Sequence, residues 1–497
     1  MNRKNYTVKI ALQFALLLFL FVVSCSKDND PAPIPEPPKP SGPSVPKATG
    51  RDLLSVNILK ADNPALATDA YVYKPTGGNI YYMTIPLGVS DRNLQLELVT
   101  SEKSKITVNG TEVASSAGKF EGNPAEIAKA KMTINETDRI AIQVTSEAGF
   151  RDYYEIIVQD GIATIDAMVY PFILKYNIPA ASYAIGKNSA EEVVYKNALG
   201  YVNVDKKERA RPDHLFRLAS MSKQFTAIGI MSLIQQGKIG IDDLVFGPTG
   251  ILKDQWPSVG AKSSQVTVRH LLEHTAGYSG DPMFSSATPN TLDRRIDIML
   301  ASTQETPGTK YIYYNMGYGT LGKIIEKVSG KDYITYIREL LAPTGATDVY
   351  LAAKDASSLR SNEATLYPQG GNAYGTPIEV YKAAGGILTN TDNLFKMLYA
   401  VDGGTKKPDI LNSDIRQLMF TPSAVYNRYA KGWRANHDLF AGYYHGGNLR
   451  GTATFWIYGT EYSVAVLLNS RSYDAKFDED LIVLTKNIME AAKRLNL

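Results

Sequence analysis

Ser220-Met221-Ser222-Lys223 sets a hydroxyl and an amine three residues apart, a spacing that brings both side chains to one face of a helix. Further along come Tyr313-Tyr314-Asn315 and then His445-Gly446-Gly447. Together they offer a nucleophile, two candidate proton carriers and a strand edge freed of side chains by glycine. Those are the parts required for acyl transfer through a serine ester. No single pattern is distinctive. Ser-x-x-Lys also occurs at Ser24/Lys27, Ser44/Lys47 and Ser116/Lys119, and Tyr-x-Asn at Tyr195/Asn197 and Tyr201/Asn203. Order and local setting separate the three segments from that background.

The setting of Ser220 is an apolar stretch through Phe225, Ile228, Ile230, Met231, Leu233 and Ile234 that ends at Gly237, a plausible helix terminus. A helix apolar around most of its circumference is buried. Ser220 in its first turn has backbone N–H groups and the positive dipole end beside it. A lysine held against such a helix loses its proton, because desolvation disfavours the ammonium, and the neutral amine can accept the serine proton. The competing reading of the pair alone is a helix cap followed by a solvated charge.

The elements that must position these residues fall into two folded parts, as expected for 497 residues. From about Arg51 to Gly161 the chain reads as strands. The runs 80–85, 94–98 and 139–144 alternate or are rich in β-branched and aromatic residues, and Asn109-Gly110 marks a hairpin. About seven short strands predict an all-β immunoglobulin-like or cadherin-like sandwich over 51–161. It reads as a spacer or scaffold, with glycan or cell-wall binding as the alternative. From 162 to 497 helix and strand mix. A helix over 165–176 and a hairpin from 181–185 and 192–195 open this part, and strands over 452–457 and 462–467 with a helix over 477–495 close it. Strands at both ends with helices between them predict one antiparallel sheet in an α+β domain.

Ahead of both lies a basic start with an apolar run from Ile10 to Val23, too short for a comfortable permanent span, which reads as a signal peptide over 1–24. It ends at Cys25, the one cysteine of the chain. That rules out intramolecular disulfides, thiol catalysis in the folded part and cysteine-ligated zinc. Residues 25–50 are dense in proline, an extended tether. A formal charge of +3 is too small to argue for a nucleic-acid partner.

Leu215-Phe216-Arg217-Leu218-Ala219-Ser220-Met221-Ser222-Lys223 resembles the active-site segment of the serine β-lactamase and penicillin-binding protein family, in the branch with class C β-lactamases, D,D-carboxypeptidases, D-aminopeptidases and esterases. The stretches 268–277, 307–318 and 384–388 and His445-Gly446-Gly447 resemble it too, so the likeness covers essentially all of 162–497. The resemblance implies Ser220 as acylated nucleophile, Lys223 as its base, Tyr313 as second proton carrier and Asn315 holding the substrate amide and Lys223. It implies an oxyanion hole from the Ser220 and Asn448 backbone N–H groups, with Gly446 and Gly447 letting the substrate approach, and no metal or organic cofactor. Val22-Val23-Ser24-Cys25 is similar to a bacterial lipoprotein signal, with lipid on Cys25, and the acidic residues after it resemble the export tag of Bacteroidota surface lipoproteins. An outer-membrane lipoprotein facing the periplasm or the outside is thereby expected, with a small-molecule or peptide substrate.

The third motif departs from the Lys-Thr-Gly of many members. His445, mostly neutral, and Gly446 weaken carboxylate capture, which favours esters, amides or D-amino-acid peptides over penicillins. His445 is also a candidate catalytic residue, and Arg450 a candidate replacement for the lost charge. Two other readings compete. His270-Leu271-Leu272-Glu273-His274 matches an inverted zinc-peptidase signature, with Glu273 as base. A binding protein that keeps the groove without the chemistry is the second.

Overall fold

The computed structural model describes residues 46–76, 78–136 and 138–497. The signal segment, Cys25 and most of the proline-rich stretch lie outside the described residues. Among the described residues no helix is long and apolar enough to cross a membrane.

The described residues of 51–161 form ten strands in two sheets around one apolar core that includes Leu53, Met83, Leu96, Ile106, Ile142 and Ile156. The excess over seven comes from short pieces such as Tyr71–Tyr73, Thr111–Val113 and Ser115–Phe120. Their side chains are half-buried or exposed, so they carry no apolar alternation to be read. Asn109 and Gly110 both have positive φ, 47° and 84°, which closes the hairpin between Lys105–Val108 and Thr111–Val113 as the Asn-Gly pair predicts. The last strand, Arg151–Gly161, pairs in parallel with Ile80–Pro86 and leads directly into the helix Ala163–Lys175.

The α+β part is built on a seven-stranded antiparallel sheet. Its two central strands, Ala180–Lys187 and Tyr462–Leu468, come from opposite ends of the domain and pair in the register Ala181 with Leu468. Both are buried along nearly their whole length, because each face of the sheet is covered. The helices Ala163–Lys175 and Phe477–Leu495 cover one face. The other carries the larger core, centred on the helix Ser222–Gln235. This architecture follows from apolar residues on both sides of the middle strands, which need two layers of helix.

The two parts share a polar junction. Asp166, fully buried, accepts hydrogen bonds from the hydroxyls of Tyr183 (2.5 Å) and Tyr195 (2.8 Å), from Asn197 Nδ2 (3.2 Å) and from Thr84 Oγ1 of the β part (3.4 Å). Arg139 donates to the Tyr201 hydroxyl at 2.7 Å and Arg209 to the Val158 carbonyl at 2.8 Å, so the β part is packed against the larger one.

Candidate active site

Ser220 lies in a 3₁₀ turn, Ala219–Met221, that leads into the buried helix Ser222–Gln235. The turn is tight. Ala219 has φ +50°, a left-handed conformation that costs a non-glycine residue of order 1 kcal/mol and is held here by full burial. The strand Tyr443–Leu449 passes close to it. A Cβ on Gly447 would collide with the Leu218 carbonyl oxygen and the Thr454 hydroxyl and come 3.1 Å from Ala219 Cβ. Glycine at 447 therefore sets the width of the groove between the Ser220 turn and the strand, and Asn448, next along, is exposed at its edge.

Lys223 is completely buried. Its Nζ lies 3.1 Å from Ser220 Oγ and donates to Asn315 Oδ1 and to the Ala384 carbonyl, each at 2.8 Å. Among the described residues no carboxylate forms a salt bridge with it. Burial is the main cause that drives its pKa well below the usual lysine value, with Arg434 adding repulsion against the pull of Asp281. A neutral amine has two N–H groups and one lone pair. With Asn315 and Ala384 taking the N–H groups, the lone pair is left for the Ser220 hydroxyl.

Tyr313 stands over the same group, with Lys223 Nζ 5.0 Å from its ring centre. Burial pushes its phenol up to about 12, against the lowering effects of the Ser220 hydroxyl and of Arg434. It is therefore a protonated phenol near neutral pH, able to donate. Asn315 begins the helix Asn315–Ser329, whose N-cap, Tyr314, has no side-chain capping bond. Asp281 supplies the cap from another segment, accepting from Asn315 N at 2.5 Å and Met316 N at 3.3 Å.

The structure brings Ser220, Lys223, Tyr313 and Asn315 together, and lays Gly446, Gly447 and Asn448 along one side. His445 is placed differently from a proton carrier. It is 1% exposed, its Nδ1 pairs with the Gly446 carbonyl at 2.8 Å, and its Nε2 faces the Tyr429 hydroxyl at 3.5 Å. Burial, then Arg434 and Lys223, hold it neutral. None of its hydrogen bonds reaches Ser220, Lys223 or Tyr313, and its ring centre lies 6.4 Å from that of Tyr313.

Arg450 lies apart from His445. It sits in the turn after the groove strand, five residues and roughly 15 Å of extended chain beyond His445, beside Gly371 and a cleft lined by Phe284 and Asn372. The cation near the third motif is Arg434, whose guanidinium carbon lies 5.4 Å from the Tyr313 ring centre. Sequence reasoning missed it, since the strand Arg434–Ala435 has only two residues and no motif. It also missed Asp281, since Gly280-Asp281-Pro282 signals only the cap of its own turn Pro282–Phe284, and Tyr381, whose hydroxyl reaches Asn315 Oδ1 at 3.4 Å.

The zinc signature is dispersed into structural work. His270 Nδ1 accepts from Thr267 N in a capping box, at 3.2 Å. Glu273 forms a buried ion pair with Lys431 at 2.8 Å. His274, at φ +59° beyond the end of the helix Val268–Leu272, accepts from Tyr314 N at 3.1 Å and packs its ring 4.4 Å from that of Tyr313. The three do not converge, and among the described residues no group of His, Cys, Asp and Glu is placed to hold a metal.

Comparison with known proteins agrees with this geometry. The family description Beta-lactamase matches residues 157–486, more than half of the chain. Protein flp of Staphylococcus aureus (strain N315) is 28% identical over 365 residues, covering 68% of this chain and 70% of that protein. Penicillin-binding protein 4* of Bacillus subtilis (strain 168) is 26% identical over 329 residues, covering 60% and 70%. Among solved structures, D-amino acid amidase from Ochrobactrum anthropi SV3 superposes with a TM-score of 0.56 at 22% identity, covering 67% of this chain and 99% of that one. The octameric penicillin-binding protein homologue from Pyrococcus abyssi gives 0.54 at 23%, covering 67% and 77%. With the family match spanning the sheet, the buried Ser-x-x-Lys helix and the groove strand, the chain belongs to the β-lactamase family of serine acyl-transfer proteins.

Proposed function

We propose that the protein is an extracytoplasmic serine hydrolase acting through an acyl-Ser220 intermediate on an ester, an amide or a D-amino-acid peptide. The observation that carries this reading is the 3.1 Å contact between Ser220 Oγ and a lysine amine buried without a carboxylate partner among the described residues. Lys223 takes the hydroxyl proton as Oγ bonds to the acyl carbon. The Ser220 and Asn448 backbone N–H groups face the developing oxyanion. As the bond to the leaving group breaks, Tyr313 donates its proton to that group and recovers one from Lys223. Water repeats the sequence on the ester, releasing the acid and restoring Ser220. The immunoglobulin-like reading of the β part assigns it a supporting role, and lipid on Cys25 tethers the chain to the outer membrane.

The test is intact-protein mass after incubation with a fluorophosphonate, a penicillin and a p-nitrophenyl ester, with turnover of the ester followed by absorbance. An adduct on Ser220 that is absent from Ser220→Ala is expected, with little penicillin turnover. No adduct and no ester hydrolysis would sink the proposal. Anchoring is checked separately by incorporation of labelled palmitate, which Cys25→Ser should abolish.

A further inference from the structure

Glu273 and Lys431 are almost completely buried and take part in no step of the proposed reaction. Their side chains are 6% and 2% exposed, and Lys431 Nζ lies 2.8 Å from Glu273 Oε1. Lys431 also donates to the Thr421 carbonyl at 2.8 Å. The nearest further cation, Arg269, is 3.9 Å from Glu273 and is held by Asp242 at 2.7 and 2.9 Å. Attraction between two buried ions does little more than offset their lost hydration, so such a pair is a weak source of stability. It does fix which two segments meet, and both segments here lead to the site.

Lys431 belongs to a turn over 429–434, closed by a bridge between Tyr429 and Arg434 and by Ala430 N donating to the Trp433 carbonyl at 2.7 Å. The turn is seated on the helix that bears Lys223. Gly432, at φ +84°, lies so close that a Cβ there would stand 2.7 Å from Ala227 Cβ and 3.0 Å from the Lys223 carbonyl oxygen. The two ends of the turn flank the site. Tyr429 packs its ring 4.7 Å from that of His274, and the Arg434 guanidinium carbon lies 5.4 Å from the Tyr313 ring centre. Glu273 directly precedes His274, which accepts from Tyr314 N. The ion pair therefore joins the segment that places Tyr313 to the turn that places Arg434.

We infer that Glu273 and Lys431 are a positioning pair, whose contact seats the turn 429–434 and keeps the Arg434 cation beside Tyr313 and Lys223. Its kinetic consequence rests on the acyl-Ser220 reading. Burial is the main cause that holds Lys223 neutral; of the charged groups facing it, Asp281 favours the ammonium and Arg434 opposes it. The imidazoles of His274 and His445 and the phenols of Tyr313 and Tyr318 around it are uncharged near neutral pH. Lys223 Nζ and the Arg434 guanidinium both lie within 5.4 Å of the Tyr313 ring centre. A turn that drifts away takes the cation with it. Lys223 then holds its proton more tightly, and the limb along which Ser220 becomes reactive moves to higher pH. A pair that only filled space would leave that limb in place.

Removing one partner alone would strand the other charge in the interior, so the test uses the paired change Glu273→Leu/Lys431→Met, which keeps side chains of similar size in both places. Glu273→Asp, which keeps the charge and shortens its reach, is read beside it. Fluorophosphonate labelling of Ser220 in the full chain is followed by mass across pH, with a thermal melt of each variant. In the paired variant the acid limb should move to higher pH, with the plateau less affected. At a fixed pH on that limb the labelling rate should fall about threefold or more, the scale of withdrawing a charge from within about 10 Å at an effective dielectric near 20. Glu273→Asp should move the limb the same way by less, and it decides the matter if the paired variant does not fold. Crystal structures of the variants should show Arg434 displaced from the Tyr313 ring. An acid limb at the wild-type position overturns the inference, as does a guanidinium still 5.4 Å from that ring. Absence of labelling in the wild-type protein would remove the acyl-Ser220 reading, and the crystal structures then decide the seating by themselves.

Discussion

Lys223 has three neighbours and, as a neutral amine, only two N–H groups, so its lone pair is directed to the Ser220 hydroxyl by elimination. This makes specific demands on kinetics. Ser220→Ala and Lys223→Ala should each remove nearly all turnover. Tyr313→Phe should lower kcat by about 10²- to 10⁴-fold, the range of a general acid-base group, and an unchanged rate would reassign the second proton carrier. The pH dependence has a definite sign. The proposed reaction requires neutral Lys223, whose pKa lies well below the usual lysine value, so kcat/KM should rise along an acid limb set by that depressed pKa. It should then stay level until the Tyr313 phenol ionises near 12. A falling limb at the ordinary tyrosine value of about 10 would contradict the buried-phenol account.

At the scale of elements, the site is positioned by three residues that carry no proton in the proposed reaction. His274 fixes the loop bearing Tyr313 through Tyr314 N, Asp281 caps the helix bearing Asn315, and Gly447 lets the groove strand lie against Ala219. Gly447→Val should drive the strand away from the nucleophile turn and slow fluorophosphonate labelling by more than about tenfold, since misplacement of 1 Å costs up to about 10²-fold. Stopped-flow or mass-based labelling checks it, beside a thermal melt that shows the fold retained. His274→Ala should cost about 1–3 kcal/mol of stability by leaving the buried Tyr314 N–H without an acceptor, measured by urea denaturation. The histidine signature at 270–274 was visible in the chain. Its use as a tether was not, because the partner nitrogen is 40 residues away in sequence.

The whole molecule is joined at Asp166, a buried carboxylate surrounded by neutral donors from both folded parts. Burial raises its pKa from 3.8 to about 6. The folded state thus holds this proton more tightly than the unfolded chain, and its contribution to stability falls as pH rises from about 4 to 6. Asp166→Asn should flatten the thermal transition across that window, read by calorimetry at several pH values. A slope equal to that of the wild type would remove Asp166 as its source. Residue types and order alone picked out Ser220, Lys223, Tyr313 and Asn315 as one constellation, the antiparallel sheet assembled from both ends of the α+β part, and the buried helix that follows Ser220 and ends near Gly237, because each leaves a local pattern of spacing or apolar periodicity. Only the tertiary structure decided that His445 is packed behind the site, that Arg450 points to another cleft, that His270, Glu273 and His274 do not converge, and that Arg434 stands beside Tyr313. Those outcomes depend on which strands and loops become neighbours, and contacts between residues distant in sequence leave no local pattern to read.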